Sequence, residues 1–269
     1  MEMQEDKIYH LDCNIGIEYL IKQEMKVDVI MTSPPYNIGK KYSKYDDSIP
    51  RDEYLVWMDN VARNICNVMS DNTSFFLNIG NIPKDQWIAF DVANIFRKYL
   101  KLQNTIHWIK SISINENGNT ISVGHYKPIN SKRFVNDTNE CIFHFTKRGD
   151  VILDRLAIGV PFKDKSNVKR WKTNDNDLRC RGNSWYIPYK TIQQSKTHPA
   201  YFPITIPEMC IKLHGIERTR LVLDPFMGSG STAVACKQLN VHYIGFEIDR
   251  DYINLSHDRL RKLVNKNLI

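Results

Sequence analysis

The sequence predicts a doubly wound α/β fold built on a mostly parallel sheet of seven strands. Two observations lead to this class. Short apolar runs rich in β-branched residues alternate along the chain with helical patterns, and strands separated by helices form mostly parallel sheets. Two of the apolar runs end in turns of unusual composition, at residues 33–36 and 225–232. Because ligands bind at the C-terminal ends of strands in open α/β sheets, we expect the functional site where these two turns lie.

The elements follow one another in chain order. We expect strands at residues 7–12, 27–32, 74–79, 105–109, 141–145, 221–223 and 243–246. We expect helices at residues 15–25, 52–69, 87–99 and 232–239. The helix over 52–69 shows the clearest pattern, because its large apolar residues recur at helical spacing and predict packing on the sheet. Two long stretches without periodicity, 37–51 and 111–137, predict functional or mobile loops.

Composition is typical of a globular protein: 42% of the 269 residues are hydrophobic and 25% are charged. No apolar run approaches the roughly 20 residues of a membrane span, and the acidic N-terminus is unlike a signal peptide. We therefore expect no membrane segment. The six cysteines are scattered, without a C-x-x-C pair. They predict buried thiols in a reducing cytosol, and neither a disulfide framework nor a metal site.

The strand over residues 27–32 stops at two prolines. Pro34 and Pro35 lack a backbone N–H and have a fixed φ, so the strand cannot continue and nearby carbonyls lose their ladder partners. The turn presents the Ser33 hydroxyl, free carbonyls and the Tyr36 ring. A planar substrate that bears an amine would suit this set, although an ordinary Pro-Pro turn has the same composition.

A glycine turn follows the strand over 221–223. Asp224 ends the strand, Gly228 and Gly230 allow close backbone approach, and a helix follows. The third glycine of G-x-G-x-x-G is missing, which disfavours a dinucleotide site. The next strand ends in Glu247, about where a ribose diol needs an acceptor. The arrangement predicts a nucleotide-type site, and the alternative is a purely structural turn.

Basic residues are concentrated in residues 149–197. Ten Lys or Arg stand there against five Asp, so the segment carries +5 of the net charge of +7. Aromatic residues are interleaved with the charges. This pattern is typical of a nucleic-acid contact surface, and the alternative is a solvated basic flap. The candidate DNA contacts are Lys163, Lys165, Lys169, Arg170, Lys172, Arg179 and Arg181.

Together, T-S-P-P-Y at 32–36 and D-P-F-M-G-S-G-S-T at 224–232 resemble the amino-methyltransferases of DNA, in the β-type circular order and the S-P-P-Y group. Residues 8–13, 139–147 and 198–203 are similar to further segments of that family. The resemblance covers most of the chain and implies a Rossmann-like fold that uses S-adenosylmethionine. It implies a cofactor site formed by Asp12, Thr32, Asp224, Pro225, Phe226, Gly228, Ser229, Gly230 and Glu247.

The resemblance assigns catalysis to Ser33, Pro34, Pro35 and Tyr36. The Ser33 hydroxyl and the Pro34 carbonyl are expected to accept the N–H groups of an exocyclic amine, while Tyr36 stacks on a base flipped out of double-stranded DNA. Serine before P-P-Y resembles the cytosine-N4 members, and a hydroxyl can also donate to cytosine N3. Adenine N6 remains the alternative target. No Pro-Cys dipeptide is present, which disfavours methylation at carbon 5.

Three regions are expected: a catalytic half at 1–148, an inserted target-recognition region at 149–197, and a cofactor-binding half at 198–269. The expected setting is the cytoplasm of a prokaryote, as a monomer or homodimer within a restriction-modification system that can include a cognate endonuclease. Two other classes stay open. They are an RNA or protein methyltransferase and a non-catalytic DNA-binding protein.

Overall fold

The structure is a computed structural model that describes residues 1–124, 130–170, 177–188 and 202–266. The strands are β1 (Lys7–His10), β2 (Val27–Thr32), β3 (Met69–Ile79), β4 (Lys101–Ile109), β5 (Ser111–Glu116), β6 (Asn119–Gly124), β7 (Asn139–Thr146), β8 (Ser184–Tyr186), β9 (Leu221–Asp224) and β10 (His242–Glu247). The helices are α1 (Cys13–Lys22), α2 (Arg51–Val68), α3 (Ile88–Arg97), α4 (Ser166–Arg170), α5 (Thr205–His214), α6 (Ser231–Leu239) and α7 (Arg250–Lys266).

Among the described residues, the main sheet has eight strands in the order β1-β10-β9-β2-β3-β7-β4-β8, where seven were predicted. The sheet is mixed, and five of its seven strand pairs are parallel, in line with the predicted mostly parallel sheet. The seven predicted strands are present, and the eighth is the three-residue β8, too short to show periodicity. β7 runs antiparallel to both β3 and β4. No described helix lies between β4 and β7, so the chain turns back where a parallel partner would need a crossover.

Two apolar layers cover the faces of the sheet. Successive side chains of β9 point to opposite faces of the sheet. Leu221 and Leu223 face the layer that contains α1, α2 and α3, and Val222 faces the layer that contains α5 and α6. All three side chains are fully buried. Central strands covered on both faces explain why β2 and β9 are almost continuously apolar.

Several described elements were missed by the sequence prediction. The stretch 111–137, expected to be irregular, begins with the antiparallel hairpin of β5 and β6, which forms its own two-stranded sheet. Helices α5 and α7 were also not assigned. A short 3-10 helix at Ile216–Arg218 leads from α5 towards β9.

Within the part of the chain that the structure describes, no helix is both long and apolar enough to cross a lipid bilayer.

Candidate active site

β2 and β9 are neighbours at the centre of the sheet, and their pairing brings the two unusual turns together. They run parallel, with Ile30 opposite Leu223, so both strands end at the same edge. Just beyond, the Thr32 hydroxyl donates to Asp224 Oδ1 at 2.6 Å. One hydrogen bond therefore joins segments that are 192 residues apart in sequence.

The Asp224 carboxylate is buried beneath this edge. Its Oδ2 accepts from the Thr232 hydroxyl at 2.6 Å, and its Oδ1 also accepts from the Phe226 backbone N–H at 3.0 Å. Burial raises the pKa of Asp224 to about 6, against the opposing effect of the bonds from Thr232 and Thr32. Since both oxygens are engaged, Asp224 holds the start of the glycine turn in place.

A cleft of about 650 Å³ opens above this edge. Ten of the thirteen residues predicted for catalysis and cofactor binding line it: Asp12, Ser33, Pro34, Pro35, Tyr36, Pro225, Phe226, Gly228, Ser229 and Glu247. Thr32, Asp224 and Gly230 do not line it and are buried below. The structure thus brings all thirteen predicted residues to one edge of the sheet, ten of them at the cleft wall.

The glycine turn is shaped by backbone conformations that favour glycine. Gly228 and Gly230 have φ of 51° and 78°. A Cβ at Gly230 would lie 2.8 Å from the Ser256 side chain, so the turn packs against α7 too closely for a larger residue. The turn leads directly into α6, where the Ser231 hydroxyl donates to the Phe202 carbonyl.

Glu247 fastens the same turn from β10. Its Oε2 accepts from the Gly228 N–H and its Oε1 from the Asp249 N–H, each at 2.8 Å. Burial raises the pKa of Glu247, and these two backbone bonds oppose the rise. Each carboxylate oxygen has a second lone pair, so Glu247 can still accept hydrogen bonds from a ligand.

Asp12 also lines the cleft, two residues after the end of β1. Its Oδ1 accepts from the N–H groups of Asn14 and Ile15, at 2.9 and 3.3 Å. Asp12 is therefore the N-cap of α1. This N-cap bonding holds the Asp12 carboxylate in place. Because β1 pairs with β10, that carboxylate lies near the end of β10, where Glu247 stands.

At the S-P-P-Y turn, the Tyr54 hydroxyl donates to the Pro35 carbonyl at 2.7 Å. No hydrogen bond among the described residues reaches the Pro34 carbonyl. The Tyr36 hydroxyl lies 2.9 Å from Ser33 Oγ and donates to Glu140 Oε2 at 3.0 Å. The turn therefore offers one carbonyl and one hydroxyl to the cleft.

Asn78 and Glu140 complete this end of the cleft, and sequence reasoning missed both. Asn78 Nδ2 donates to Glu140 Oε2 at 2.8 Å and to the Tyr36 hydroxyl at 3.0 Å. Lys110 Nζ lies 3.0 Å from Glu140 Oε1. Both residues stand at ends of correctly predicted strands, so polar residues at the edge were the available signal.

The loop over residues 37–50 lies against the cleft, as the prediction of a functional loop allows. Buried Asp47 accepts from the N–H groups of Asn37, Ile38 and Lys40 at 2.8, 3.1 and 2.9 Å. Tyr42, Tyr45 and Lys44 of this loop line the cleft. One carboxylate thus organises an irregular loop that carries aromatic rings to the site.

Comparison with known families decides what kind of site this is. The model of the family described as DNA methylase, of the N6/N4 methyltransferase type, matches residues 27–258. The match contains both the S-P-P-Y turn and the glycine turn. The chain belongs to the N6/N4 DNA methylase family.

The methylase is 27% identical over 249 residues to the type II methyltransferase M.BglII of Bacillus subtilis. The match covers 87% of this chain but only 63% of that relative's length. Among solved structures, PvuII DNA methyltransferase (cytosine-N4-specific) matches with a TM-score of 0.67 and 19% identity, over 96% of this chain and 86% of that one. The M1.HpyAVI–SAM complex matches with a TM-score of 0.56 and 23% identity, over 94% and 98%. The family uses S-adenosylmethionine.

The residues present fit that cofactor. Glu247 offers acceptor lone pairs for a diol, Phe226 and Trp57 form an aromatic wall with centroids 5.5 Å apart, and the glycine turn brings backbone close to the cleft. The Tyr45 hydroxyl is buried beside the cleft without a hydrogen-bond partner among the described residues. A polar ligand with a planar ring matches this set.

Four of the predicted DNA contacts of the methylase, Lys163, Lys165, Arg179 and Arg181, lie outside the cleft. Lys163 and Arg179 are exposed, and exposed Lys165 pairs with Asp177. Arg181 is half-buried, and its Nε donates to the Ile158 carbonyl at 2.9 Å. Lys169 and Arg170 lie in α4, and Lys172 lies outside the described residues, as do the rest of 171–176 and residues 189–197.

Across residues 1–124, 130–170, 177–188 and 202–266, no cluster of His, Cys, Asp or Glu is arranged to hold a metal ion.

Proposed function

We propose that this methylase transfers a methyl group from S-adenosylmethionine to the exocyclic N4 amine of a cytosine flipped out of duplex DNA. The observation that carries the proposal is one cleft lined by both the S-P-P-Y turn and the glycine turn with Glu247. The hydrogen bond between Thr32 and Asp224 fixes the distance between these two halves.

Four groups would hold the cofactor: Glu247 at the ribose, Asp12 near the adenine, the Phe226 ring, and the backbone of Gly228 and Ser229. S-adenosylmethionine supplies, when bound, an activated methyl group on a sulfonium. Thr32, Asp224 and Gly230 would act beneath the cleft by shaping the turn, since Asp224 already uses both carboxylate oxygens within the protein.

The S-P-P-Y turn would prepare the amine. Its nitrogen is a poor nucleophile because its lone pair is delocalised into the ring of the base. Ser33 Oγ and the Pro34 carbonyl would accept its two N–H groups and favour a pyramidal nitrogen. The Pro35 carbonyl is already used by Tyr54, which leaves Pro34 as the available one. The Tyr36 ring would stack on the base, and prealigned acceptors of this kind lower the barrier by positioning and electrostatics.

Cytosine N4 is favoured over adenine N6 by Ser33, which stands where the adenine-type members carry aspartate. The fold neighbour PvuII is itself described as cytosine-N4-specific. Adenine N6 is the second candidate, because the matching family includes both amines.

Duplex DNA would be the partner, with residues 149–197 as the target-recognition region between the catalytic half (1–148) and the cofactor half (198–269). The exposed charges of Lys163, Lys165 and Arg179 support contact with phosphates. The similarity to a type II methyltransferase supports a role in a restriction-modification system in the prokaryotic cytoplasm. A cognate endonuclease and a monomeric or homodimeric state belong to the same proposal, as does the β-type order of the motifs.

Transfer of a labelled methyl group tests the proposal. The purified protein should label a mixture of duplex DNA sequences and leave RNA and protein unlabelled. Binding of DNA without any transfer, at saturating cofactor, would favour the non-catalytic DNA-binding alternative. Labelled RNA would favour an RNA methyltransferase.

A further inference from the structure

A chain of hydrogen bonds lies behind the S-P-P-Y turn and ends at a carboxylate. It runs from Ser33 Oγ to the Tyr36 hydroxyl over 2.9 Å, and from there to Glu140 Oε2 over 3.0 Å. Asn78 Nδ2 joins at Glu140 Oε2 and at Tyr36. Lys110 Nζ holds the other Glu140 oxygen. The direction of the protons along this chain decides what the cleft presents to a substrate.

Tyr36 has one proton to donate. Burial and the nearby Glu140 carboxylate raise the pKa of Tyr36 well above its ordinary value, so the phenol stays protonated. Three acceptors compete for that proton: Ser33 Oγ at 2.9 Å, Glu140 Oε2 at 3.0 Å and the Asn78 backbone carbonyl at 3.4 Å. The Glu140 carboxylate takes the proton because an ionised acceptor forms the stronger hydrogen bond, and the Ser33 hydroxyl, unlike the carboxylate, has a proton of its own to donate. Tyr36 therefore donates to Glu140.

This direction fixes Ser33. Because the Tyr36 hydroxyl already donates its proton to Glu140, its oxygen can only accept a hydrogen bond from Ser33. The Ser33 proton consequently faces Tyr36 and not a ring nitrogen of a base. Asn78 Nδ2 approaches Ser33 Oγ at 3.4 Å, and a second Ser33 lone pair stays open to the cleft.

Asn78 is oriented by the same carboxylate. Its Nδ2 faces Glu140 Oε2 at 2.8 Å, and the flipped amide would place Oδ1 against a carboxylate oxygen. Asn78 lines the cleft and is 1% exposed, and its Oδ1 has no hydrogen-bond partner among the described residues. An unpartnered buried acceptor is costly unless a ligand satisfies it.

We propose that Glu140 is a positioning residue that directs these protons away from the cleft, so that Ser33 Oγ and Asn78 Oδ1 act as acceptors for the target amine. The inference rests on the proposed function and adds Glu140 and Asn78 to that site. Lys110 completes the arrangement by engaging Glu140 Oε1, which leaves Oε2 for Tyr36 and Asn78.

Glu140→Gln tests the inference. Lys110 would keep the amide oxygen, and the new NH₂ would donate to Tyr36. Tyr36 would then donate to Ser33, and the Ser33 proton would face the amine. Mispairing one buried polar group predicts a fall in kcat of about 5- to 150-fold. The Kd for the cofactor and the KM for DNA should be unchanged in Glu140→Gln. In the control Glu53→Gln, at an exposed position, kcat, the cofactor Kd and the DNA KM should all equal those of the parent.

A double-mutant cycle shows whether Glu140 acts through Tyr36. In a Tyr36→Phe background the chain is cut, so Glu140→Gln should cost less than it does in the parent. Full multiplication of the two effects on kcat would overturn the inference. Gly80→Ala is a second variant, because a Cβ there would lie 2.7 Å from Glu140 Cγ and displace the carboxylate. An unchanged kcat in both Glu140→Gln and Gly80→Ala also overturns it.

A readout independent of turnover separates this inference from the proposed function. In NMR spectra of isotope-labelled tyrosine, the Tyr36 signal, assigned through Tyr36→Phe, should shift in Glu140→Gln because Tyr36 changes its acceptor. A shifted signal without methyl transfer to any DNA would support the hydrogen-bond chain and contradict the proposed function. An unmoved signal with active parent protein would contradict the inference alone.

Discussion

Glu247 is the residue through which the cofactor assignment is most open to test. Each of its carboxylate oxygens accepts one backbone N–H at 2.8 Å, from Gly228 and from Asp249. Glu247→Gln keeps the size of the side chain but converts one oxygen into an NH₂ group. That group meets a backbone N–H, and it can no longer accept from a ribose hydroxyl.

The expected loss follows from the number of bonds. A hydrogen bond to a charged group contributes roughly 1.5–3 kcal/mol. Losing one to the cofactor should raise the Kd for S-adenosylmethionine by about 10- to 150-fold. Isothermal titration calorimetry measures the Kd directly, and thermal melting shows whether the variant is folded.

Glu217→Gln is the matched control. It makes the same chemical change at an exposed position in the 3-10 helix before β9, outside the cleft. Its Kd should equal that of the parent. A folded Glu247→Gln protein with the parental Kd would refute the assignment of Glu247 to the cofactor.

Two further predictions concern DNA contact and acid stability. Replacing exposed Lys163 and Arg179 by glutamine should lower the slope of log K against log salt by about 1.8, at about 0.9 for each lost phosphate contact. An unchanged slope would favour the alternative that this segment is a solvated basic flap without DNA contacts. Burial lowers the pKa of His144 to about 3 and of His214 to about 4. Between pH 7 and pH 5 both imidazoles therefore become protonated in the unfolded state but stay neutral in the folded state. The pair should lose about 4 kcal/mol of unfolding free energy, offset by about 1.4 kcal/mol from Asp224, whose raised pKa acts in the opposite sense. Urea unfolding at the two pH values measures the net loss of about 2–3 kcal/mol. An equal loss in a His144→Gln, His214→Gln double variant would contradict the assignment of the loss to these two histidines.

The sequence allowed the two turns of the site to be predicted because their chemistry is local. Pro34 and Pro35 end β2 whatever surrounds them, and the glycines at 228 and 230 have the positive φ that their residue type favours. Since β2 and β9 both lead into such turns, their meeting at one edge followed from the fold class. The bond between Thr32 and Asp224 is the result.

Glu140 could not be predicted in the same way. It reaches Tyr36 across 104 residues of sequence only because β7 inserts antiparallel between β3 and β4. Hydrophobic periodicity predicts that β7 is a strand, but it does not predict which strands are its neighbours. The buried contact of Ser74 with His144 at 3.0 Å depends on the same unpredicted strand order, and its contact with His214 at 2.9 Å depends on α5, which was not assigned.

The methylated nucleoside in the product tests the central claim most directly. Mixed-sequence duplex DNA would be incubated with the purified protein and S-adenosylmethionine, digested to nucleosides and analysed by mass spectrometry. The proposed function predicts N4-methylcytosine, and the Ser33→Ala variant should yield less of it under the same conditions. N6-methyladenine in its place would contradict the assignment of the base, and the absence of any methylated nucleoside would contradict the assignment of the cleft as a DNA methylation site.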